Sequence, residues 1–362
     1  MRVVCSAGGT GGHIFPAVAV AQEIKKRYPD ASILFVGAKG KMEMTKVPKA
    51  GFDIKGLWIS GLHRRLTFKN LLFPIKLFFS LIGALRILVQ FKPQVVAGFG
   101  GYASGATLWV ASKIGIPTLI LEQNSYAGIT NKLLNGSVDR VCLAYEEAEK
   151  YFSKSQILLT GNPIRSGLKT ELSMRECREK MSLDPDLRTV LFLGGSQGAR
   201  SINKALASAH DRIEESSNLQ IIWQCGQGYY DEYKSCKSAL IDHVHIMPFI
   251  ENMALAYGAS DLVVCRSGAL TIAELMHLAK PSILVPSPNV AEDHQTKNAM
   301  ALVNKNAAVI LQDQRLAELL DVIEETLNDE VLLKKLSSNI EKMNRPNAVQ
   351  MITDELEQIM KK

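Results

Sequence analysis

RVVCSAGGTGGHIFPA, Arg2 to Ala17, is the stretch whose reading decides the fold. A short apolar run, Arg2 to Cys5, enters the glycines Gly8, Gly9, Gly11 and Gly12; His13 and an apolar helical segment follow. Glycine admits positive φ and lets a ligand touch the backbone. A helix that starts directly after such a turn offers unsatisfied N–H groups and the positive end of its dipole. A strand, a glycine turn and a helix in that order suit a phosphate, although a tight connection with no ligand uses the same residues. The unit recurs: VLFLGGSQGAR, Val190 to Arg200, opens the second half as VVCSAGGTGGH opens the first, and GFGGYASG, Gly98 to Gly105, is a third glycine turn. Three such turns favour nucleotide or phosphate binding.

Outward from these turns, short apolar, β-branched runs alternate with helical stretches. RVVCSA, SILFVG, QVVAGFG and PTLILEQ lie in the first half, and TVLFLGG, LQIIWQCG, VHIMPF, DLVVCRSG and PSILVPS in the second. Runs apolar throughout read as strands buried on both faces, and strand–helix alternation implies a doubly wound parallel sheet. The fold class is α/β with two Rossmann-like doubly wound domains, because 362 residues are too many for one core. Gly161, Pro163 and Gly167 break periodicity in LLTGNPIRSGLKT, which divides the chain into a first domain, 1–162, and a second, 163–344. A terminal amphipathic helix within 345–362 is expected to cross back onto the first domain.

Composition, 47% hydrophobic and 22% charged, is that of a soluble globular protein. The apolar run after Arg2 breaks into glycines too soon for a signal peptide. Six scattered cysteines with no Cys-x-x-Cys argue for a reducing cytoplasm and against zinc, and His243 and His245 lack flanking ligands, so no metal is expected. A net charge of +6 suits nucleic acid, anionic lipid or a phosphorylated substrate. No RNA-binding signature accompanies it, so the expectation is membrane or phosphate and no nucleic acid.

The dinucleotide fingerprint fails, because Ile14 stands where its third glycine belongs and the second strand ends VGAKG without an acid for a ribose. No GxxxxGK[ST] is present, and Asp184-Pro185-Asp186 reads as a loop between a helix and a strand. CRSGALTIAE, Cys265 to Glu274, is a strand end, a turn and a helix; a carboxylate at Glu274 suits ribose hydroxyls while the helix start faces a diphosphate. The acid also fits a helix simply stabilised near its N-terminus. AEDHQTKNA puts His294, Gln295 and Asn298 on one exposed helix start, where amides and imidazole suit sugar hydroxyls.

GGTGGHIFPA, FGGYASG, EQNSYAGITNK, GNPIR, GGSQGAR, CRSGALTIAE and AEDHQTKNA occur in that order. On these motifs, over roughly Met1 to Leu302, the chain resembles the MurG family within glycosyltransferase family 28, the N-acetylglucosaminyltransferases of bacterial cell-wall synthesis. The resemblance implies a GT-B fold, two Rossmann-like domains facing a cleft, with no cofactor and no metal-binding Asp-x-Asp. It implies transfer of N-acetylglucosamine from UDP-N-acetylglucosamine to the C4 hydroxyl of the muramyl sugar of lipid I, giving lipid II with inversion. It also implies an anionic membrane surface and other wall-synthesis proteins as partners. In the second domain it assigns donor contacts to Ser196, the backbone of Ile250, Arg266, Ala269, Leu270, Thr271, Glu274, Gln295 and Asn298. From the first domain Thr10, Gly11, Gly12, Asn124 and Arg165 complete the cleft. The first glycine turn then serves the acceptor's diphosphate and the third the donor's. His13 is the candidate base or orienting group, its pKa lowered at a helix N-terminus; a loop-capping role is the alternative. Two other readings remain open: a UDP-N-acetylglucosamine 2-epimerase and a non-catalytic sugar-nucleotide scaffold.

LLFPIKLFFSLIGALRILVQF, Leu71 to Phe91, carries charge only at Lys76 and Arg86. Its longest uncharged run, Leu77 to Leu85, falls short of the about 20 residues that span a bilayer. Lys76, Ser80, Gly83, Arg86 and Gln90 share one helical arc, which predicts a polar edge with apolar surface left over. His63, Arg64, Arg65 and Lys69 lie just upstream. Basic charge beside an apolar face fits peripheral binding to an anionic membrane, through Leu71, Ile75, Phe78 and Leu81, on the cytoplasmic side. An ordinary core helix with a basic edge is the alternative.

Overall fold

The computed structural model describes residues 1–61, 72–152, 156–195, 197–216 and 218–361. The chain forms two compact units, Met1–Arg165 with Arg345–Lys362, and Ser166–Asn344.

The first unit is built on seven parallel strands: β1 (Arg2–Ser6), β2 (Ser32–Ala38), β3 (Asp53–Leu57), β4 (Val95–Gly98), β5 (Thr118–Glu122), β6 (Arg140–Leu143) and β7 (Gln156–Leu159). Their order is β3-β2-β1-β4-β5-β6-β7. The chain runs outward from β1 to β3, then restarts at β4 on the other side of β1, so the direction of winding reverses between β1 and β4. In open α/β sheets ligands bind beyond the carboxyl ends of the strands at that reversal. The central strands alternate between two cores. Val4, Val36, Val96 and Ile120 face one layer, and Val3, Cys5, Phe35 and Leu119 face the other.

Helices α1 (Gly11–Arg27), α2 (Glu43–Lys49), α3 (Phe73–Phe91), α4 (Tyr102–Lys113) and α5 (Ile129–Leu134) connect these strands. The second unit repeats the plan with β8 (Arg188–Leu193), β9 (Leu219–Gln224), β10 (Val244–Met247), β11 (Leu262–Cys265), β12 (Ser282–Leu284) and β13 (Val309–Ile310). The order is β10-β9-β8-β11-β12-β13, all parallel, and winding reverses between β8 and β11. Its helices include α6 (Met174–Lys180), α7 (Arg200–Ser208), α8 (Met253–Ala259), α9 (Ala269–His277), α10 (His294–Val303) and α11 (Glu330–Lys342). The last helix, α12 (Ala348–Met360), packs on α1 in the first unit through Ile352, Leu356 and Ile359. Arg27 pairs there with Asp354 and Glu357, and Arg140 with Glu355 at 2.7 Å.

Helix α3 differs from the wheel reading. Its inward face is the one that carries Ser80: Ser80, Ala84 and Leu88 are buried, and the Ser80 hydroxyl donates to the Trp58 carbonyl at 3.0 Å. Lys76 donates to the Ser60 hydroxyl at 3.0 Å and lies over the Trp58 ring. Of the arc Lys76, Ser80, Gly83, Arg86 and Gln90, Ser80 is buried and Lys76 and Gly83 are half-buried, because small side chains let the helix sit close to β3 and α4, while Arg86 and Gln90 stay exposed. Beside them lies the apolar surface expected to be left over: Ile75, Phe78, Phe79, Leu85 and Val89 are exposed, Phe78 by 59%. Leu81, expected on that face, is partly buried against the core, and Phe79 takes its place. Leu71 and the basic cluster His63, Arg64, Arg65 and Lys69 fall outside the described residues.

Candidate active site

The glycine turns stand at the two winding reversals. In the first unit the turn after β1 and the turn after β4 lock together. The Gly8 amide donates to the Gly100 carbonyl at 3.2 Å. Gly100 (φ 99°) and Gly101 (φ 90°) hold left-handed backbone, and a Cβ on Gly101 would lie 2.5 Å from the Gly8 oxygen. No side chain fits between the two turns.

His13 sits at this junction. Its Nδ1 is 2.8 Å from the Gly8 carbonyl oxygen. A carbonyl only accepts, so Nδ1 carries the hydrogen and Nε2 is the basic nitrogen of the neutral ring. The ring lies against Gly100, where a Cβ would come within 2.8 Å of Nε2. One turn therefore fixes the tautomer and the other fixes the ring's place.

Among the described residues, side chains cap three helix starts; α2, α3, α5, α10 and α12 have no such cap, as the helices at the glycine turns have none. Ser173, Asn252 and Asp329 accept from backbone amides at the starts of α6, α8 and α11. Among the described residues no side chain caps α1, α4, α7 or α9, whose first turns also carry no acid. A helix N-terminus whose first amides have no side-chain cap is suited to an external anion, although Glu43 already accepts from the Gly9 amide before α1 and Asp313 from the Ser201 hydroxyl in the first turn of α7. At α1 the turn Gly9–Thr10 is exposed, and the His13 and Ile14 amides fold back onto the Thr10 carbonyl, so the approach to this helix runs past Thr10, Gly11 and Gly12.

On β5 the buried Glu122 organises the segment that holds Asn124. Its Oε1 accepts from the Asn124 amide at 3.1 Å and side chain at 3.2 Å; its Oε2 accepts from Gly128 and Asn131, each at 2.9 Å. Arg165 is exposed at the end of the first unit's long segment.

In the second unit Gly194, Gly195 and Gly198 form the turn after β8; Ser196 lies outside the described residues. Gln224, buried, ties this turn to the loop after β10 by donating to the Gly195 and Pro248 carbonyls, each at 3.1 Å. Ile250 follows in that loop with its side chain buried, beside an exposed Phe249. Ala269, Leu270 and Thr271 form the uncapped first turn of α9, all half-buried. Glu274, on the next turn, accepts from the hydroxyl of fully buried Tyr257 at 2.9 Å.

Two expected donor contacts are placed differently. The Arg266 guanidinium is occupied by the protein: it reaches the Val285 and Pro286 carbonyls at 3.1 and 3.2 Å, Asp313 at 2.6 Å and Ser201 at 2.5 Å. It clamps the loops after β11 and β12 to α7. Asn298, expected on an exposed helix start, is fully buried and donates to the Ser267 carbonyl. Gln295 stays half-buried; its Oε1 accepts from the Ser287 amide at 2.8 Å, which orients the side-chain amide. Just before it Glu292 and Asp293 hold left-handed backbone at φ 53° and 52°. The Lys297 ammonium donating to Glu292, and the Thr296 hydroxyl donating to Asp293, hold that strained step in place. Asp184 and Asp186 lie in the loop before β8, where Asp184 accepts the Asp186 amide at 2.8 Å.

Comparison with known proteins agrees with this geometry. Residues 3–143 match the N-terminal domain model of glycosyltransferase family 28, and residues 189–355 match its C-terminal domain model. A Flavobacterium psychrophilum protein named UDP-N-acetylglucosamine–N-acetylmuramyl-(pentapeptide) pyrophosphoryl-undecaprenol N-acetylglucosamine transferase is 51% identical, covering 98% of this chain and 96% of that one. The crystal structure of Acinetobacter baumannii MurG superposes with a TM-score of 0.80 at 30% identity over 99% of both chains. A Neisseria meningitidis UDP-GlcNAc 2-epimerase bound to UDP-GlcNAc shares the fold at a TM-score of 0.67 and 13% identity, covering 99% of this chain and 100% of that one.

Proposed function

The chain belongs to glycosyltransferase family 28, and we infer that it is a hexosyltransferase moving N-acetylglucosamine from UDP-N-acetylglucosamine to lipid I, so forming lipid II for peptidoglycan. The observation that carries this reading, beside the family, is the pair of uncapped helix N-termini at glycine turns on the winding reversal of each sheet. Two diphosphates must be held, one on the acceptor and one on the donor. The first unit supplies Thr10, Gly11 and Gly12 for one, and the second supplies the β8–α7 turn and the start of α9 for the other.

The chemistry is a displacement at the anomeric carbon of the donor sugar. The muramyl C4 hydroxyl attacks, its proton passes to a base, and the bond to UDP breaks with charge developing on the diphosphate. His13 is the base: its Nδ1 donates to Gly8, and Nε2 receives the proton. The positive dipole ends at the starts of α7 and α9 stabilise the departing diphosphate. A single in-line step inverts the anomeric centre, so the disaccharide formed on a short-chain lipid I analogue is expected to be β-linked. An α-linked product, read from its anomeric proton coupling, overturns the single-step mechanism.

Glu274 holds the ribose hydroxyls with one carboxylate oxygen set by Tyr257. Ribose contacts are equal in ground and transition states, so Glu274→Ala is expected to raise the donor KM about tenfold with kcat nearly unchanged. Tyr257→Phe is expected to shift the same KM by a smaller factor. An unaltered donor KM in Glu274→Ala refutes the ribose role.

The enzyme is membrane-associated through its substrate. Its placement is peripheral on the cytoplasmic face, with α3 as the contact. A helix of 19 residues is long and apolar enough to cross a bilayer, yet here it is the crossover between β3 and β4 and its Ser80–Ala84–Leu88 side is committed to the sheet. Its outer face, Ile75, Phe78, Phe79, Leu85 and Val89, is left for the interface.

A further inference from the structure

The first glycine turn rests on a side chain outside every motif singled out in the sequence. Glu43, on the first turn of α2, is fully buried. Its Oε2 accepts from the Gly9 amide at 3.1 Å and its Oε1 from the Ala38 amide at 2.9 Å. It runs between two glycines. A Cβ on Gly8 would lie 2.4 Å from Glu43 Oε1, and a Cβ on Gly37 would lie 2.5 Å from Glu43 Cγ. The carboxylate thus bridges the end of β2 to the turn after β1, and the backbone on both sides is cut back to admit it.

We propose that Glu43 is a positioning residue for acceptor binding, its carboxylate fixing the turn that presents Thr10, Gly11 and Gly12 to the acceptor diphosphate and that holds His13 through Gly8. This rests on the acceptor role inferred above for that turn. With the Gly8 amide given to Gly100 and the Gly9 amide given to Glu43, these two donors are turned away from a ligand, which leaves the turn only its later residues, from Thr10 onward, to present. Each carboxylate oxygen accepts one N–H, so both must be acceptors. Glutamine supplies only one acceptor and sets its NH2 against the other amide. Aspartate keeps the charge but is a methylene too short to reach both.

The test uses the full-length enzyme with UDP-N-acetylglucosamine and a short-chain lipid I analogue. Glu43→Gln is expected to raise the acceptor KM about tenfold, with the donor KM and UDP affinity unchanged. Glu43→Asp should fail in the same way, because reach and not charge is what is lost. Gly37→Ala, whose new Cβ would press on Glu43 Cγ at 2.5 Å and only touch the Ala7 carbonyl at 3.4 Å, should reproduce the effect in weaker form. In both Glu43→Gln and Gly37→Ala, hydrogen exchange across Gly8–Gly12 should speed up whether or not turnover is seen. Normal exchange there, or an unchanged acceptor KM in folded Glu43→Gln, overturns the proposal, as does restoration by aspartate. If the parent enzyme makes no disaccharide, the functional reading fails instead, and the exchange measurement still decides whether Glu43 pins the turn.

Discussion

Replacing His13 with alanine is expected to lower kcat by on the order of 10²-fold or more, while the KM for UDP-N-acetylglucosamine stays within about twofold. The geometry is compatible with both a base and loop support. The ring donates from Nδ1 to the Gly8 carbonyl at 2.8 Å, which leaves Nε2 as its basic atom. Asparagine can place a donor near the Gly8 carbonyl but offers no base. His13→Asn therefore separates the two roles: a base lost in both variants leaves both slow, whereas a structural histidine lets asparagine recover most of the rate. A fall of only a fewfold in alanine, or recovery in asparagine, assigns His13 to the loop and moves the base elsewhere. Donor binding, which we propose belongs to the second unit, should be indifferent to either change.

Changing Phe78 and Phe79 together to serine is expected to weaken partitioning onto anionic vesicles by on the order of 10²-fold or more, since each ring withheld from the bilayer loses roughly 1.5–3 kcal/mol. Both side chains are more than half exposed, 59% and 53%, so the core loses little and the thermal midpoint should hold. Turnover on a soluble short-chain acceptor should be unaffected, because both rings are exposed on the outer face of α3 and neither belongs to a glycine turn. Salt should loosen the parent protein from vesicles without releasing it, since screening acts on basic residues and not on the rings. A double variant that still sediments with vesicles like its parent removes α3 as the anchor. One that unfolds shows that the rings belong to the core.

The sequence was most readable where local chemistry and tertiary demand coincide. A β-branched run into glycines and then a helix has few other uses, and β1, β8, α1 and α7 appear where the turns require. Strands β3, β6, β7 and the two-residue β13 were not legible. β3 is an edge strand, Asp53–Leu57, whose Asp53 and Lys55 face solvent and break the apolar run that marks its neighbours. The wheel of α3 gave the left-over apolar surface, and of its polar arc only Ser80 is fully buried, because periodicity does not say how far each face packs. Small Ser80 and Ala84 permitted close approach to β3 and α4, and the larger apolar side chains were left outside. Arg266 and Asn298 sit in donor-like motifs, yet their partners, Asp313 and the Ser267 carbonyl, come from chain that spacing alone does not bring near. Glu43, Glu122 and Gln224 escaped for the opposite reason. Each is an ordinary polar residue in sequence and becomes significant only when buried against the backbone of a glycine turn or its neighbour.

The central claim is that this chain transfers a sugar between two substrates, and acceptor dependence tests it most directly. The purified enzyme is given UDP-N-acetylglucosamine with and without a short-chain lipid I analogue, and UDP and disaccharide are followed together. The expected result is that UDP appears only with the acceptor, in equal amount to the disaccharide. UDP or an epimerised sugar nucleotide formed without acceptor, or donor bound with no product in either case, would contradict it.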